Sequence, residues 1–269
     1  MPLFRPRRDL RTAYGPWALI AGASSGIGGE FASQIAAAGL NVILVARRAE
    51  PLEELAASLR TAHGVEVRTA SIDLAAPDLL ERVRACAAGL EVGLLVYNAA
   101  FSLIGPFLAQ TLEDKLRVID VNCRGPVVLA HEFGAAMAAR KRGGIILMSS
   151  MAGSQGAPIV ATYGASKAFD RVLAEGLWEE LGAEGVDVLA CCAGATRTPT
   201  YEASKPVGNP PFMMESGPVV RESLLALGTT PSFVPGMANR AAAFVMERLF
   251  PRSLAIRTIG KETRKMYGL

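Results

Sequence analysis

Histidine is nearly absent, with His63 and His131 alone in 269 residues, and the four cysteines, Cys86, Cys123, Cys191 and Cys192, share no C-x-x-C spacing. A structural zinc site draws its ligands from clusters of these two residue types, so no metal is expected. Pairing the adjacent Cys191 and Cys192 at a strand end would be strained, and reduced, buried thiols are the simpler reading. A large charge of one sign is also missing. The formal net charge is +3, and basic residues gather only at Arg5, Arg7, Arg8 and Arg11 and again at Arg140, Lys141 and Arg142. Short basic runs of this kind are solvated tails and turns, so no nucleic-acid partner is expected. No apolar run approaches the ~20 residues that cross a bilayer, and the opening segment has positive charge without the apolar stretch of a secretory signal. A soluble, cytoplasmic protein is expected.

Apolar material, by contrast, is plentiful: 51% of residues are hydrophobic and 20% charged, far from disordered composition. A chain of this length suits one α/β domain over residues 1–269. Short β-branched runs at 18–21, 41–46, 65–71, 92–97, 144–149 and 186–191 alternate with stretches of helical period. That alternation predicts a doubly wound parallel sheet with helices on both faces. Ile27, Phe31 and Ile35 share one helical face, as do Leu52, Leu55, Ala56 and Leu59. Residues 111–140 read as two helices or as one with a break near Gly125 and Pro126, and a long helix over 162–181 carries Phe169, Val172, Leu173, Gly176 and Leu177 on one face. Residues 196–233 lose regularity and are rich in Pro, Gly and Ser. A loop that long in a compact domain is usually functional, so a substrate-covering flap with short helices is expected there. A helix over 237–250 and a last strand over 253–259 complete the pattern.

Between the first strand and first helix lies Gly22-Ala23-Ser24-Ser25-Gly26-Ile27-Gly28. Glycines in a strand–turn–helix unit let the backbone approach a pyrophosphate at the helix N-terminus. An NAD site places a carboxylate at the end of the second strand for the ribose 2′-hydroxyl. Arg47 and Arg48 stand there instead, and two guanidinium groups suit a 2′-phosphate. NADP(H) is therefore the expected cofactor, with Arg47 its first contact.

Tyr163 and Lys167 are spaced i, i+4 at the start of the long helix, which puts phenol and ammonium on one face. A free phenol titrates near ~10, and a neighbouring cation favours its ionised form, so Tyr163 suits acid/base work. Ser149 and Ser150 close the fifth strand at the edge where parallel sheets bind ligands. Ser150 is the better candidate to hydrogen-bond a substrate oxygen, with Ser149 the alternative.

Taken in order, the glycine turn, Asn98-Ala99-Ala100, Asn122, Ser150 and Tyr163-x-x-x-Lys167 resemble the short-chain dehydrogenase/reductase family over residues 18–198. The resemblance implies a Rossmann-like domain, a nicotinamide cofactor and a catalytic group of Asn122, Ser150, Tyr163 and Lys167. It implies that Asn122 holds a water linking the lysine to solvent, and that Lys167 also binds the nicotinamide ribose. Asp73 and Leu74 would border the adenine, and residues 194–198, with Gly194, Thr196 and Thr198, would close over the nicotinamide. A homodimer or homotetramer through the helices carrying Tyr163 and Asn122 is also implied. The sequence departs from the family pattern at Ala21, which stands for Thr, at Tyr97 and Ala100 in place of Asn and Gly, and at Ala193 in place of Pro.

Phe101, Leu103, Ile104, Met151, Ile159, Phe212, Met213 and Met214 are expected to line an apolar pocket, hence a hydrophobic carbonyl compound or its alcohol as substrate. Tyr14-Gly15-Pro16-Trp17 and Gly39-Leu40-Asn41-Val42 are similar to the hydroxysteroid and 3-oxoacyl reductase branch. Two rival readings are a non-catalytic nucleotide sensor or scaffold on the same fold, which binds NADPH without turnover, and a sugar-nucleotide epimerase, whose substrate half is usually longer.

Overall fold

The computed structural model describes residues 9–204, 206–208 and 210–269; Arg5, Arg7 and Arg8 lie outside them. A short helix α1 (Leu10–Tyr14) leads into β1 (Trp17–Ala21), α2 (Gly26–Ala37), β2 (Asn41–Ala46), α3 (Ala49–His63), β3 (Val67–Ser71), α4 (Leu79–Ala87) and β4 (Val92–Tyr97). Then come α5 (Leu112–Ile119), a π turn (Asp120–Arg124), α6 (Gly125–Ala139), β5 (Gly143–Ser150), α7 (Ala161–Gly182) and β6 (Val186–Ala193). The last third holds β7 (Thr196–Arg197), α8 (Pro199–Ala203), β8 (Met214–Glu215), α9 (Ser216–Ala226), β9 (Ser232–Phe233), α10 (Met237–Phe244), a second π turn (Val245–Leu249) and α11 (Arg252–Tyr267).

Seven strands form one parallel sheet in the order β3-β2-β1-β4-β5-β6-β9. Parallel strands buried on both faces read as continuous apolar runs, and β1, β2, β4, β5 and β6 do so. Their side chains alternate between two cores. Ala18, Ile20, Val42 and Leu44 pack with Phe31 and Ile35 of α2 and Val219 and Val220 of α9. Leu19, Ile43, Val45 and Leu95 pack with Val83 of α4, Leu129 and Phe133 of α6 and Ala174 of α7. The doubly wound Rossmann-like fold expected from the sequence is the fold observed.

Two expectations are corrected. Residues 253–259 are not a strand but part of α11, and the sheet ends instead on the two-residue β9, inside the irregular segment. The apolar face expected for α7 is only half right: Leu173 and Leu177 pack against the second core, but Phe169, Val172 and Gly176 are exposed, Val172 by 67%, while Ser166, Lys167, Asp170 and Ala174 are buried. Residues 111–140 follow the second of the two alternatives expected, one helical run whose α geometry is interrupted, here by a π turn that ends just before Gly125 and Pro126. Among the described residues, no helix is long and apolar enough to cross a membrane. The second basic run is spent locally, with Lys141 paired to Glu184 and Arg140 and Arg142 to Glu91.

Candidate active site

At the end of β1 the chain must reverse into α2 within four residues, and Gly22 (φ 87°) and Gly26 (φ 59°) take the left-handed backbone that this requires. A Cβ on Gly22 would lie 2.6 Å from the Ala99 nitrogen, and one on Gly28 would collide with the Gly22 carbonyl. Turn, helix and the loop after β4 therefore meet backbone to backbone. Asn98 fastens them: its Nδ2 donates to the Gly22 carbonyl (2.9 Å), while the Asn98 and Ala99 N–H groups both donate to the Ala21 carbonyl (2.9 Å each). Ser24 leads to Ser25, the N-cap of α2, whose side chain makes no capping bond, so the first-turn amides of a twelve-residue helix are left for an anion. Ile27 is half-buried against the core. Thr198 lies across this turn, since a Cβ on Gly26 would sit 3.0 Å from its Cγ2. Thr196 is buried and donates to the Gly194 carbonyl (3.1 Å), which folds residues 194–198 over the glycines. This cradle has the spacing and free amides to fit a pyrophosphate.

The other end of the cradle is the rim formed by β2 and β3. Arg47 and Arg48 are exposed there, with the Arg47 carbonyl held by Ser71 Oγ (2.8 Å). Asp73 Oδ2 accepts from Arg117 (2.6 Å) and Oδ1 from the Ala75 N–H (3.0 Å). Burial pulls its carboxyl up, but the bonds from Arg117 and Ala75 and the charges of Arg117 and Arg47 outweigh it and leave Asp73 below its usual range. Leu74 beside it is buried, and the Arg117 guanidinium lies 5.8 Å from the Phe101 ring centroid.

The floor is organised by the π turn, which inserts a residue into the α5–α6 helix and so re-aims its side chains. Tyr97 Oη donates to the Val121 carbonyl (2.6 Å), and it occupies the space that a side chain at Gly125 would need. Arg124 ties the same turn to the carbonyls of Ala75 (2.6 Å) and Ala76 (2.9 Å). Asn122 is fully buried; it accepts from the Phe101 N–H (2.8 Å) and donates to the Phe101 carbonyl and to Ser166 Oγ (2.9 Å each). Ser166 Oγ in turn donates to the Tyr163 carbonyl (2.7 Å). The Asn122 amide thus bridges the loop after β4 to the first turns of α7.

Across this floor, β5 and α7 are joined by Ser149, whose Oγ donates to the Lys167 carbonyl (2.6 Å). Ser149 spends its proton there, whereas Ser150 Oγ accepts from the Ala152 N–H (3.1 Å) and keeps its own. Lys167 is 2% exposed; its Nζ donates to the Met148 carbonyl (2.7 Å) and to Asp170 Oδ2 (2.8 Å) and lies 5.9 Å from the Tyr163 ring centroid. The Tyr163 hydroxyl has no hydrogen-bond partner among the described residues, and the residue is half-exposed. Asp170 is 1% exposed and its Oδ1 has no partner among the described residues. Burial pushes its carboxyl above the usual range, with Lys167 opposing. Burial and the Asp170 charge likewise raise the neighbouring Cys123 thiol to about 11 and push the Tyr97 phenol upward.

Of the residues expected to line an apolar pocket, Phe101, Leu103, Met151, Met213 and Met214 are half-buried, whereas Ile104 and Phe212 are exposed. Ile159 holds φ 63°, a strained setting for a β-branched residue, and its carbonyl accepts from the Gly105 N–H (2.8 Å).

The glycine turn, Asn98, Ser150 and the Tyr163–Lys167 pair all gather at the carboxyl ends of β1, β4 and β5, where strand order reverses between β1 and β4. The family model for short chain dehydrogenase matches residues 16–206. The chain belongs to the short-chain dehydrogenase family. It is an oxidoreductase acting on CH–OH and carbonyl groups, in a family that binds NAD(P). A 7beta-hydroxysteroid dehydrogenase of Collinsella aerofaciens is 36% identical over 200 residues, 74% of this chain and 76% of that protein. A solved structure described as giving insights into 7beta-hydroxysteroid dehydrogenase stereoselectivity superposes with a TM-score of 0.88 at 32% identity, covering 94% of this chain and 100% of the other. A short-chain dehydrogenase from Sphingobium yanoikuyae in complex with NADPH superposes with a TM-score of 0.77 at 32% identity, covering 87% and 94%. These relatives agree with the expected hydroxysteroid-type branch.

Four polar residues of this short-chain dehydrogenase escaped the sequence reading: Tyr97 as the plug of the π turn, Arg117 on Asp73, Ser166 between Asn122 and Tyr163, and Asp170 beneath Lys167. Two left a signal: Tyr97 by its departure from the family pattern, and Asp170 by standing three residues after Lys167 and seven after Tyr163 on the same helical face.

Proposed function

We propose that this short-chain dehydrogenase is an NADP(H)-dependent reductase of hydrophobic ketones, or oxidase of the matching secondary alcohols, with a steroid-sized substrate. The observation that carries the reading is the Tyr163 hydroxyl, which has no hydrogen-bond partner among the described residues, with the buried Lys167 Nζ 5.9 Å from its ring. A bound nicotinamide supplies the hydride for reduction or takes it up in oxidation. Tyr163 Oη gives its proton to the carbonyl oxygen in reduction and takes one back in the reverse direction. Ser150, with its hydroxyl proton uncommitted, donates a hydrogen bond to the same oxygen and stabilises the charge that develops there. Lys167 sets its ammonium 5.9 Å from the Tyr163 ring, and Asn122 positions α7 through Ser166.

The cofactor would lie along Gly22, Ser24, Ser25, Gly26, Ile27 and Gly28, with Asp73, Leu74, Asn98, Ala99 and Ala100 bordering it and Gly194, Thr196 and Thr198 covering it. Arg47 and Arg48 are exposed, and among the described residues neither has an ion-pair partner, which suits capture of a 2′-phosphate. Arg47→Asp is expected to weaken NADPH binding about 10- to 100-fold and to favour NADH. Unchanged cofactor preference in steady-state kinetics would reject NADP(H) selectivity.

The substrate is tested by NADPH oxidation with a 7-oxosteroid, a long-chain 3-oxoacyl thioester and a small polar ketone. The steroid is expected to lead, and preference for the small ketone would overturn the reading. Tyr163→Phe should bind NADPH yet lose about 10²- to 10⁴-fold in rate; full activity would remove Tyr163 from its role. Binding without any turnover across the panel would revive a nucleotide sensor. Residues 196–233 act in this reading as the substrate flap, and the protein is cytoplasmic, in keeping with its four free cysteines. The exposed stripes Leu112, Leu116 and Ile119 on α5 and Phe169 and Val172 on α7 form the contact of a homodimer or homotetramer. Val172→Glu should dissociate it in light scattering, and an unaltered mass would exclude that face.

A further inference from the structure

Lys167 and Asp170 are 3% and 2% exposed in their side chains and meet at 2.8 Å. On α7 Lys167 stands four residues after Tyr163 and Asp170 three after Lys167, and Nζ meets the carboxylate at 2.8 Å while lying 5.9 Å from the Tyr163 ring centroid. Two of the three Nζ protons are committed downward, to Met148 and Asp170. The other ionisable groups that sense this carboxylate are Cys123 from the π turn and Tyr97 from β4. Neither carries positive charge, so among the described residues Lys167 is the cation that balances Asp170. A buried carboxylate with one oxygen lacking a partner is unfavourable for folding, and neither oxygen serves a backbone group. What Asp170 does act on is the charge of Lys167.

A lone cation near a phenol favours its ionised form, whereas a cation backed by a carboxylate presents a dipole whose field falls off faster. We propose that Asp170 is a positioning residue that seats Lys167 and cancels much of its charge at Tyr163, setting the site to donate a proton to a carbonyl rather than to take one from an alcohol. The inference rests on the assignment of Tyr163 as the proton-transferring group, and it adds a direction of reaction to that assignment.

The test titrates the near-ultraviolet phenolate absorbance of the NADP⁺-loaded protein, taken as the difference from Tyr163→Phe, so that it reads Tyr163 without any substrate. Asp170→Asn keeps the shape and an acceptor for Lys167 while removing the charge. Its Tyr163 midpoint is expected about one pH unit or more below wild type, with Asp170→Glu restoring the wild-type value. At neutral pH the ratio of 7β-hydroxysteroid oxidation to 7-oxosteroid reduction should rise about tenfold in Asp170→Asn. A midpoint that stays in place or moves up overturns the inference. Should Asp170→Asn not fold, Lys167→Met and the double variant Lys167→Met/Asp170→Leu are compared, and the double must titrate lower than the single. Full activity of Tyr163→Phe would instead sink the assignment of the proton donor, a result separate from any shift in the titration.

Discussion

Two carboxylates flank the site, each within hydrogen-bond distance of a cation, and their surroundings drive them in opposite directions. Asp73 sits at the rim, with 37% of its side chain exposed, and two donors reach its two oxygens. It stays below its ordinary range. Asp170 sits on the floor with one oxygen unanswered, and desolvation lifts it despite the ammonium beside it. An ion pair is thus not one kind of object: where water remains, hydrogen bonds decide, and where it is gone, the cost of burying charge decides.

The sharpest way to break that comparison is to remove one member of the floor pair. Lys167→Met leaves a buried carboxylate alone and should cost about 3–5 kcal/mol in urea unfolding; a loss below about 1 kcal/mol would make floor and rim alike. A second effect is one of sign. A carboxyl raised by folding contributes stability at low pH that is lost as pH rises past its unfolded value, so Lys167→Met should lose stability progressively above about pH 4. Asp73, held low, contributes the reverse, stability present above about pH 4 and lost as pH falls through its folded value. The smallest effect follows from that. Asp73→Asn should cost less than about 1 kcal/mol at neutral pH, given its exposure, and should flatten the loss of stability in acid; an unchanged acid limb would show that Arg117 does not hold the carboxyl low.

The same contrast governs how much could be read in the sequence. The inner strands were legible because burial on both faces leaves uninterrupted apolar runs such as those of β2 and β4, and the glycine turn because only glycine satisfies its backbone. The last helix was misread because Leu254, Ala255 and Ile256 form a short apolar run, which periodicity alone assigns to neither strand nor helix; in α11 only Ala255 and Gly260 are buried. The face of α7 was legible in part: Leu173 and Leu177 do pack on the core, but the exposed Phe169 and Val172 share their apolar period, and the buried side also carries Lys167 and Asp170. Tyr163 and Lys167 were visible as a spaced pair on one helix. Asp170, the third member of that face, is not legible in the same way, because buried charges are rare and a charged residue on a helix ordinarily marks its solvated side.

Tyr97 and Gly125 limit one another's evolution. The phenol rests in the volume that a β-carbon at 125 would claim, and its hydroxyl answers the Val121 carbonyl. A larger residue at 125 is tolerated only alongside a smaller one at 97, and a smaller residue at 97 strands a carbonyl unless 125 changes too. Homologues are therefore expected to exchange these two positions jointly, a coupled inheritance that an alignment of the branch would reveal as covariation between the end of β4 and the start of α6.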